Sequence, residues 1–269
     1  MSVPLFPPAF FHALAGLVRR RRLGPGRAAA PRAGRGRRGF EHRPWSPGDD
    51  LRLLDWRATA RFDRPLVRLR EEERGGRLRL VLDRSASLAP GSARRDRDQR
   101  RLALALGWLH LESGGVLELV VGGTPGRLLA GFERRAEFQS LLASLPAPAG
   151  NDRVAAGGEA AVRPGPTVWL TDPWSGLPGA LGPRKRVAEL ILAEEDRPPA
   201  GGLLLRAAEA EEGFEVDLRP ERWARRWEAW LAERWARIRA AGAEAVPVRC
   251  PTEEDPVGLL LRAEEAGLV

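Results

Sequence analysis

The chain of 269 residues contains a single cysteine, Cys250, which excludes an intrachain disulfide and leaves nothing that calls for an oxidising compartment. Within the apolar stretch AVPVRC, that cysteine reads as a small packed side chain rather than a nucleophile. Only three histidines occur, His12, His42 and His110, and none is spaced from Cys, Asp or Glu as a metal ligand would be. No run approaches the ~20 apolar residues that span a bilayer. The opening LFPPAFFHALAGLV is short and is followed by four arginines, whereas a secretory signal carries its positive charge ahead of the apolar run. A cytoplasmic protein is expected, with a surface helix docking on a membrane or a partner as the alternative for this stretch. There is no GxSxG elbow and no GxxxxGK(S/T) phosphate loop. The glycine-rich GRGRRG lacks a preceding strand and is no dinucleotide fingerprint. No nucleophile–base pair stands out, so an enzyme is not expected.

Tyrosine is absent and lysine occurs once, at Lys185, against nine tryptophans and 43 arginines. Such a bias is read as codon usage, not as arginine chemistry. The net charge of +8 is unevenly placed: residues 19–43 hold ten arginines and one acid, Glu41, so the rest of the chain is close to neutral. Three parts are expected. Residues 1–39 form a basic, flexible segment rich in Gly, Pro, Ala and Arg. Residues 40–76 form a dense, charged block, and residues 77–269 form the main domain.

Along that domain, period-2 and buried apolar runs alternate with 3.6-period stripes. RLRLVLD, VLELVVGG, RLLAG, TVWLTD, RVAELILAEE and AVPVRC read as strands, and GLLLRAAEAEEGFEVDL reads as a hairpin. Leu102, Leu106 and Leu109 mark one helix, and Phe138, Leu141, Leu142 and Leu145 another, closed by Pro146. The longest runs from about Glu221 to Ala241, with Trp223, Trp227, Trp230, Leu231, Trp235 and Ile238 on one face as core. A last helix comes after Asp255, its expected cap. Upstream, LRLLDWRATA reads as a turn or two of helix, and PLVRLREEE as a half-buried strand ending at the Gly75-Gly76 break. The alternation predicts an α/β fold with a mainly parallel central sheet flanked by helices.

In such a sheet, ligands sit beyond the carboxyl ends of the strands. Asp83 stands at one such end, with Ser85 and Ser87 two and four residues on; Asp172 closes a second strand. One carboxylate and two hydroxyls are hard oxygen donors of the kind Mg²⁺ or Mn²⁺ takes. The simpler account is that Asp and Ser after a strand cap the next helix.

LVLDRSAS followed by a helix resembles the metal-ion-dependent adhesion site of von Willebrand factor type A domains. The block FEHRPWSPGDDLRLLDWRATAR, residues 40–61, closely resembles the signature of the bacterial domain of unknown function 58 family. The resemblance covers roughly residues 35–265. It implies a Rossmann-like type A fold and a partnership with MoxR-type AAA+ ATPases. Longer relatives carry membrane helices and a further domain ahead of the block, so the short form is expected here. It also implies a metal set of Asp83, Ser85, Ser87 and Asp172. Type A sites add a threonine from an intervening loop, but AGNDRVAAGG at that place has none. Either Asn151 or Asp152 supplies that oxygen or the site is degenerate. In the signature block, Asp49, Asp50, Arg52, Asp55, Trp56 and Arg61 are expected to form a structural clasp, with a partner-docking surface as the alternative. Arg57, Arg64 and Arg68 are read as solvated.

The function expected is a metal-dependent protein-binding module or adaptor, whose bound ion takes an acidic side chain from a partner. Two other classes compete. The basic tail suits phosphates or an acidic surface; no base-reading motif accompanies it, so a nucleic-acid partner is not expected. A metal-dependent hydrolase built on Asp83 and Asp172 lacks a further acid or base.

Overall fold

The computed structural model describes residues 4–23, 40–45, 54–70, 76–85, 88, 93–122, 124–148, 165–178, 181–192, 195, 220–251 and 254–269. In chain order they form α1 (Pro8–Leu23), β1 (Phe40–Pro44), α2 (Trp56–Phe62), β2 (Leu66–Arg70), β3 (Arg77–Leu82) and α3 (Ala93–Glu112). Next come β4 (Val116–Val121), β5 (Arg127–Ala130), α4 (Arg135–Ser144), β6 (Thr167–Thr171), β7 (Lys185–Leu192), α5 (Pro220–Ala240), β8 (Glu244–Cys250) and α6 (Pro256–Glu265).

Six strands make the central sheet in the order β5-β4-β3-β6-β7-β8. All neighbours are parallel except the β4–β5 edge pair. The interior strands are buried on both faces: Leu80, Val81 and Leu82 in β3, Val168, Trp169 and Leu170 in β6, and Val187 and Ala188 in β7. Continuous apolar runs of this kind belong to strands covered by helices on either side. On one face Leu80, Leu82, Leu170 and Leu190 meet Leu102, Leu109, Leu259 and Ala263 from α3 and α6. On the other, Val81, Trp169 and Val187 pack with Ile238, and Ile191 with Trp227 and Leu231, all from α5. The tryptophan stripe is therefore largely core, as its 3.6 period predicts.

One expectation is revised. In place of a flexible segment over 1–39, residues Pro8–Leu23 form a helix with Phe10, Leu14 and Leu17 buried in the main core. Arg101, fully buried on α3, fixes the entry to that helix: it donates to the carbonyls of Leu5 and Pro4 at 2.8 and 3.2 Å and to Asp98 and Glu254 at 3.2 and 2.9 Å. Four donors of one guanidinium are thus satisfied out of water, the condition for burying a charge. Residues 24–39 and the hairpin expected near 202–218 lie outside the described residues. The strand expected in PLVRLREEE forms as β2, which pairs antiparallel with β1 in a separate two-stranded sheet. The expected cap is present, Asp255 accepting from the Val257 and Gly258 N–H groups; Asp55 also caps α2, a role not expected from the sequence. Cys250 is buried, and burial pushes its thiol well above the usual range. No helix among the described residues is long and apolar enough to cross a membrane.

Candidate functional site

The chain runs outward from β3 to β4 and β5, then returns to the other side of β3 as β6. This reversal makes the carboxyl ends of β3 and β6 the topological switch point, where open α/β sheets place their ligands. Asp83 and Asp172 leave the sheet there. Leu82 pairs with Leu170, and the Asp83 N–H donates to the Leu170 carbonyl at 3.0 Å. The two acids expected on one face do stand on neighbouring strands.

Their side chains are held by short local bonds. One carboxylate oxygen of Asp83 accepts from the Ser85 N–H at 2.8 Å; the other accepts from the Thr171 hydroxyl at 2.5 Å. One Asp172 oxygen accepts from the N–H groups of Trp174 and Ser175, at 2.7 and 2.9 Å, and so shapes the turn after β6. That turn brings Ser175 to Ser85, hydroxyl to hydroxyl, at 2.8 Å. Asp83, Ser85, Thr171, Asp172 and Ser175 are all buried. They bring two carboxylates and three hydroxyls, all hard oxygens, into one connected group. Among the described residues no cluster of three or more His, Cys, Asp and Glu is arranged for a metal. The oxygen set here is of another kind, since most of its members are hydroxyls.

A rigid frame surrounds it. Gln99 on α3 donates from one amide nitrogen to the carbonyls of Asp83 and Leu170, each at 2.8 Å, and clips the two strand ends together. Arg84 binds Asp96 and the Pro146 carbonyl. Arg100 donates to Asp96 and to the carbonyls of Leu142, Leu145 and Pro146. Carbonyls at the end of α4, which have no partner within the helix, are thereby satisfied. On the far side, Trp174 stacks on Trp227 and Trp230 with ring centroids 4.9 and 5.5 Å apart. Its indole N–H donates to Glu195, which also accepts from Arg95 and from the Leu192 N–H. Arg234 of α5 reaches the Asp172 carbonyl at 3.4 Å and the buried Glu189 at 2.5 Å. Burial pushes the Glu189 carboxyl up, against the pull of Arg234 and the Trp235 indole.

Of the residues expected in the site, Asp83, Ser85 and Asp172 come together. Ser87, Asn151 and Asp152 lie outside the described residues, as do Asp49, Asp50 and Arg52 of the signature block. Within that block Asp55 is buried as the α2 cap, whereas Trp56 is 69% exposed and Arg61 is exposed. Thr171, Ser175, Gln99, Glu195 and Arg234 are not among the residues that the sequence singles out. The only local signal for them is Asp172 three residues ahead of Ser175, an ordinary turn pattern.

The family described as Protein of unknown function DUF58 matches over residues 41–236, the greater part of the chain. The chain belongs to this family. The DUF58 match takes in the signature block, β3, the strand-end site and α5 up to Ala236. Among curated proteins, uncharacterized proteins of Mycobacterium tuberculosis and Mycobacterium bovis are 37% identical over 117 residues. The match covers 41% of this chain and 37% of each relative, so the chain spans little more than a third of the length of the curated relatives it matches.

Proposed function

We propose that this DUF58 chain is a metal-dependent protein-binding module with a von Willebrand factor type A-like fold. It acts with a MoxR-type AAA+ ATPase in assembling or maturing other proteins. The observation that carries the binding site is the joining of Asp83 and Asp172, on adjacent strand ends, through Ser85 and Ser175, whose N–H groups donate to the two carboxylates and whose hydroxyls meet, with the Thr171 hydroxyl donating to Asp83. The strand order, with its reversal between β3 and β6, agrees with a Rossmann-like arrangement. The ATPase partnership rests on the family resemblance of residues 40–61.

The donor chemistry fits Mg²⁺ or Mn²⁺. Two cis oxygens around an octahedral Mg²⁺ with bonds of about 2.0–2.1 Å lie about 2.9 Å apart. The Ser85 and Ser175 hydroxyls are 2.8 Å apart, so the pair already has the spacing of two such ligands. Ser175 thereby supplies the hydroxyl that the type A pattern takes from a threonine on another loop. Asp83 and Asp172 add the negative charge that retains a divalent ion and orient the two serines through the N–H groups they accept from. The ion would offer one exchangeable position to a carboxylate of the partner.

The test has two arms. Calorimetric titration of the full chain with Mn²⁺ is expected to give one saturable site that is lost in Asp83→Ala and weakened in Ser175→Ala. Affinity capture from native lysate is expected to retain an AAA+ ATPase with Mg²⁺ and to lose it with EDTA or in Asp83→Ala. No metal uptake by the wild type would refute the site. Capture indifferent to EDTA would refute its role in binding.

A further inference from the structure

A second surface stands apart from the strand-end oxygens. Helix α2 is short but firmly held. Asp55 caps its start through the N–H groups of Arg57 and Ala58, each at 3.1 Å. Thr59 accepts from the Leu66 N–H at 3.0 Å, and the Asp55 N–H donates to the Leu66 carbonyl at 2.8 Å, tying the helix to β2. Asp63, in the left-handed region at φ 51°, ends it. Ala58 is the buried residue of this helix.

On that fixed platform two large aromatics face solvent, Trp56 at 69% and Phe62 at 56% exposure. Five large apolar side chains are exposed among the described residues, and two of them belong to this one helix. Arg57, Arg61 and Arg64 are exposed beside them, and the Arg61 guanidinium lies 5.8 Å from the centre of the Phe62 ring. Across residues 56–65, Asp63 is the sole acid against these three arginines. Exposed Trp and Arg held on a rigid element form the composition of an interface hot spot. The charge selects a partner of opposite sign. The remainder of the chain beyond residues 19–43 is close to neutral, so α2 is a local basic-aromatic spot and not part of the broad basic face that nucleic acid requires.

We propose that Trp56, Arg57, Arg61, Phe62 and Arg64 form a docking surface for an acidic protein segment in which apolar side chains punctuate Glu or Asp. The apolar groups cover the two rings, and the carboxylates pair with the arginines.

The test is fluorescence polarisation with the full chain and a short labelled peptide alternating Glu pairs with single Leu residues. A labelled oligothymidine of similar length serves as the second probe. Saturable peptide binding is expected to weaken by about tenfold in Trp56→Ala and in Arg61→Glu, a hot-spot loss. With EDTA present throughout, so that no ion at the strand-end site takes the peptide carboxylates, Leu128→Ala on the β5 edge is expected to leave it unchanged. If Trp56→Ala does not fold, Arg61→Glu and Phe62→Ala decide. Peptide affinity unaltered by the α2 variants would overturn the proposal and place the binding in the arginine-rich segment. Tighter binding of the oligonucleotide, lost in the same variants, would overturn it in favour of nucleic acid.

Discussion

Replacing Arg234 by methionine tests how the site is held from behind. Arg234 is 8% exposed and Glu189 is fully buried; their closest approach is 2.5 Å. Methionine keeps much of the apolar stem but removes the charge. Glu189 then retains the Trp235 indole N–H, 2.8 Å away. Leaving a buried carboxylate without its cation costs about 3–5 kcal/mol, a large part of the roughly 5–15 kcal/mol that holds a domain together. With a urea dependence of about 3 kcal/mol per molar, the unfolding midpoint falls by about 1–1.7 M. The effect has a pH signature. Burial already holds the Glu189 carboxyl above its ordinary range, and losing Arg234 raises it further. A carboxyl raised in the folded state binds its proton more tightly there than in the unfolded chain. Its contribution is therefore fully present below the unfolded value of about 4.3 and is lost as pH rises through the folded value. The variant should lose more at pH 8 than at pH 5.5, and adding Glu189→Gln should recover most of the loss at pH 8. Urea titrations followed by tryptophan fluorescence at the two pH values decide it. A cost under about 1 kcal/mol at pH 8, or a cost that grows on acidification, would refute the account of Glu189 as a charge dependent on Arg234.

Two further substitutions probe the frame. Gly107 lies where α3 meets α4, and a Cβ there would run into the Phe138 ring and come within 2.8 Å of Leu117. Gly107→Ala should destabilise by about 1–3 kcal/mol through overpacking, although alanine in an open helix would gain up to about 1 kcal/mol; a raised melting temperature would show that α4 yields freely. Asp55→Ala removes the α2 cap and should cost about 1 kcal/mol, a fall of roughly 2–4 °C in Tm for a chain of this size. An unchanged Tm would mean that the β2 contacts alone hold the helix.

The parts of the fold that the sequence reveals are those fixed by local rules. The tryptophan stripe of α5, the leucines of α3, the Asp255 cap and the strand ends at Asp83 and Asp172 arise from side-chain period and end chemistry within a few residues. Strand neighbours obey no such rule. That β6 returns beside β3, and that β2 turns away to pair with β1, depends on crossovers that periodicity does not encode. The same holds for the first helix: an arginine-rich, glycine-rich surrounding suggests flexibility, yet Phe10, Leu14 and Leu17 find a core surface, and Arg101, 96 and 97 positions away, finds the carbonyls of Leu5 and Pro4.

By itself, then, the sequence determined the α/β class, most helices and strands, and the two carboxylates at strand ends, because these arise from contacts among near neighbours. Tertiary structure alone decided which groups meet at those ends. The Thr171 hydroxyl reaches Asp83 across 88 positions and Ser175 reaches Ser85 across 90, because parallel pairing of β3 with β6 sets the two strand ends side by side. A serine in a turn carries no mark of the partner it will face; the sheet supplies that partner by bringing distant strand ends to adjacent positions.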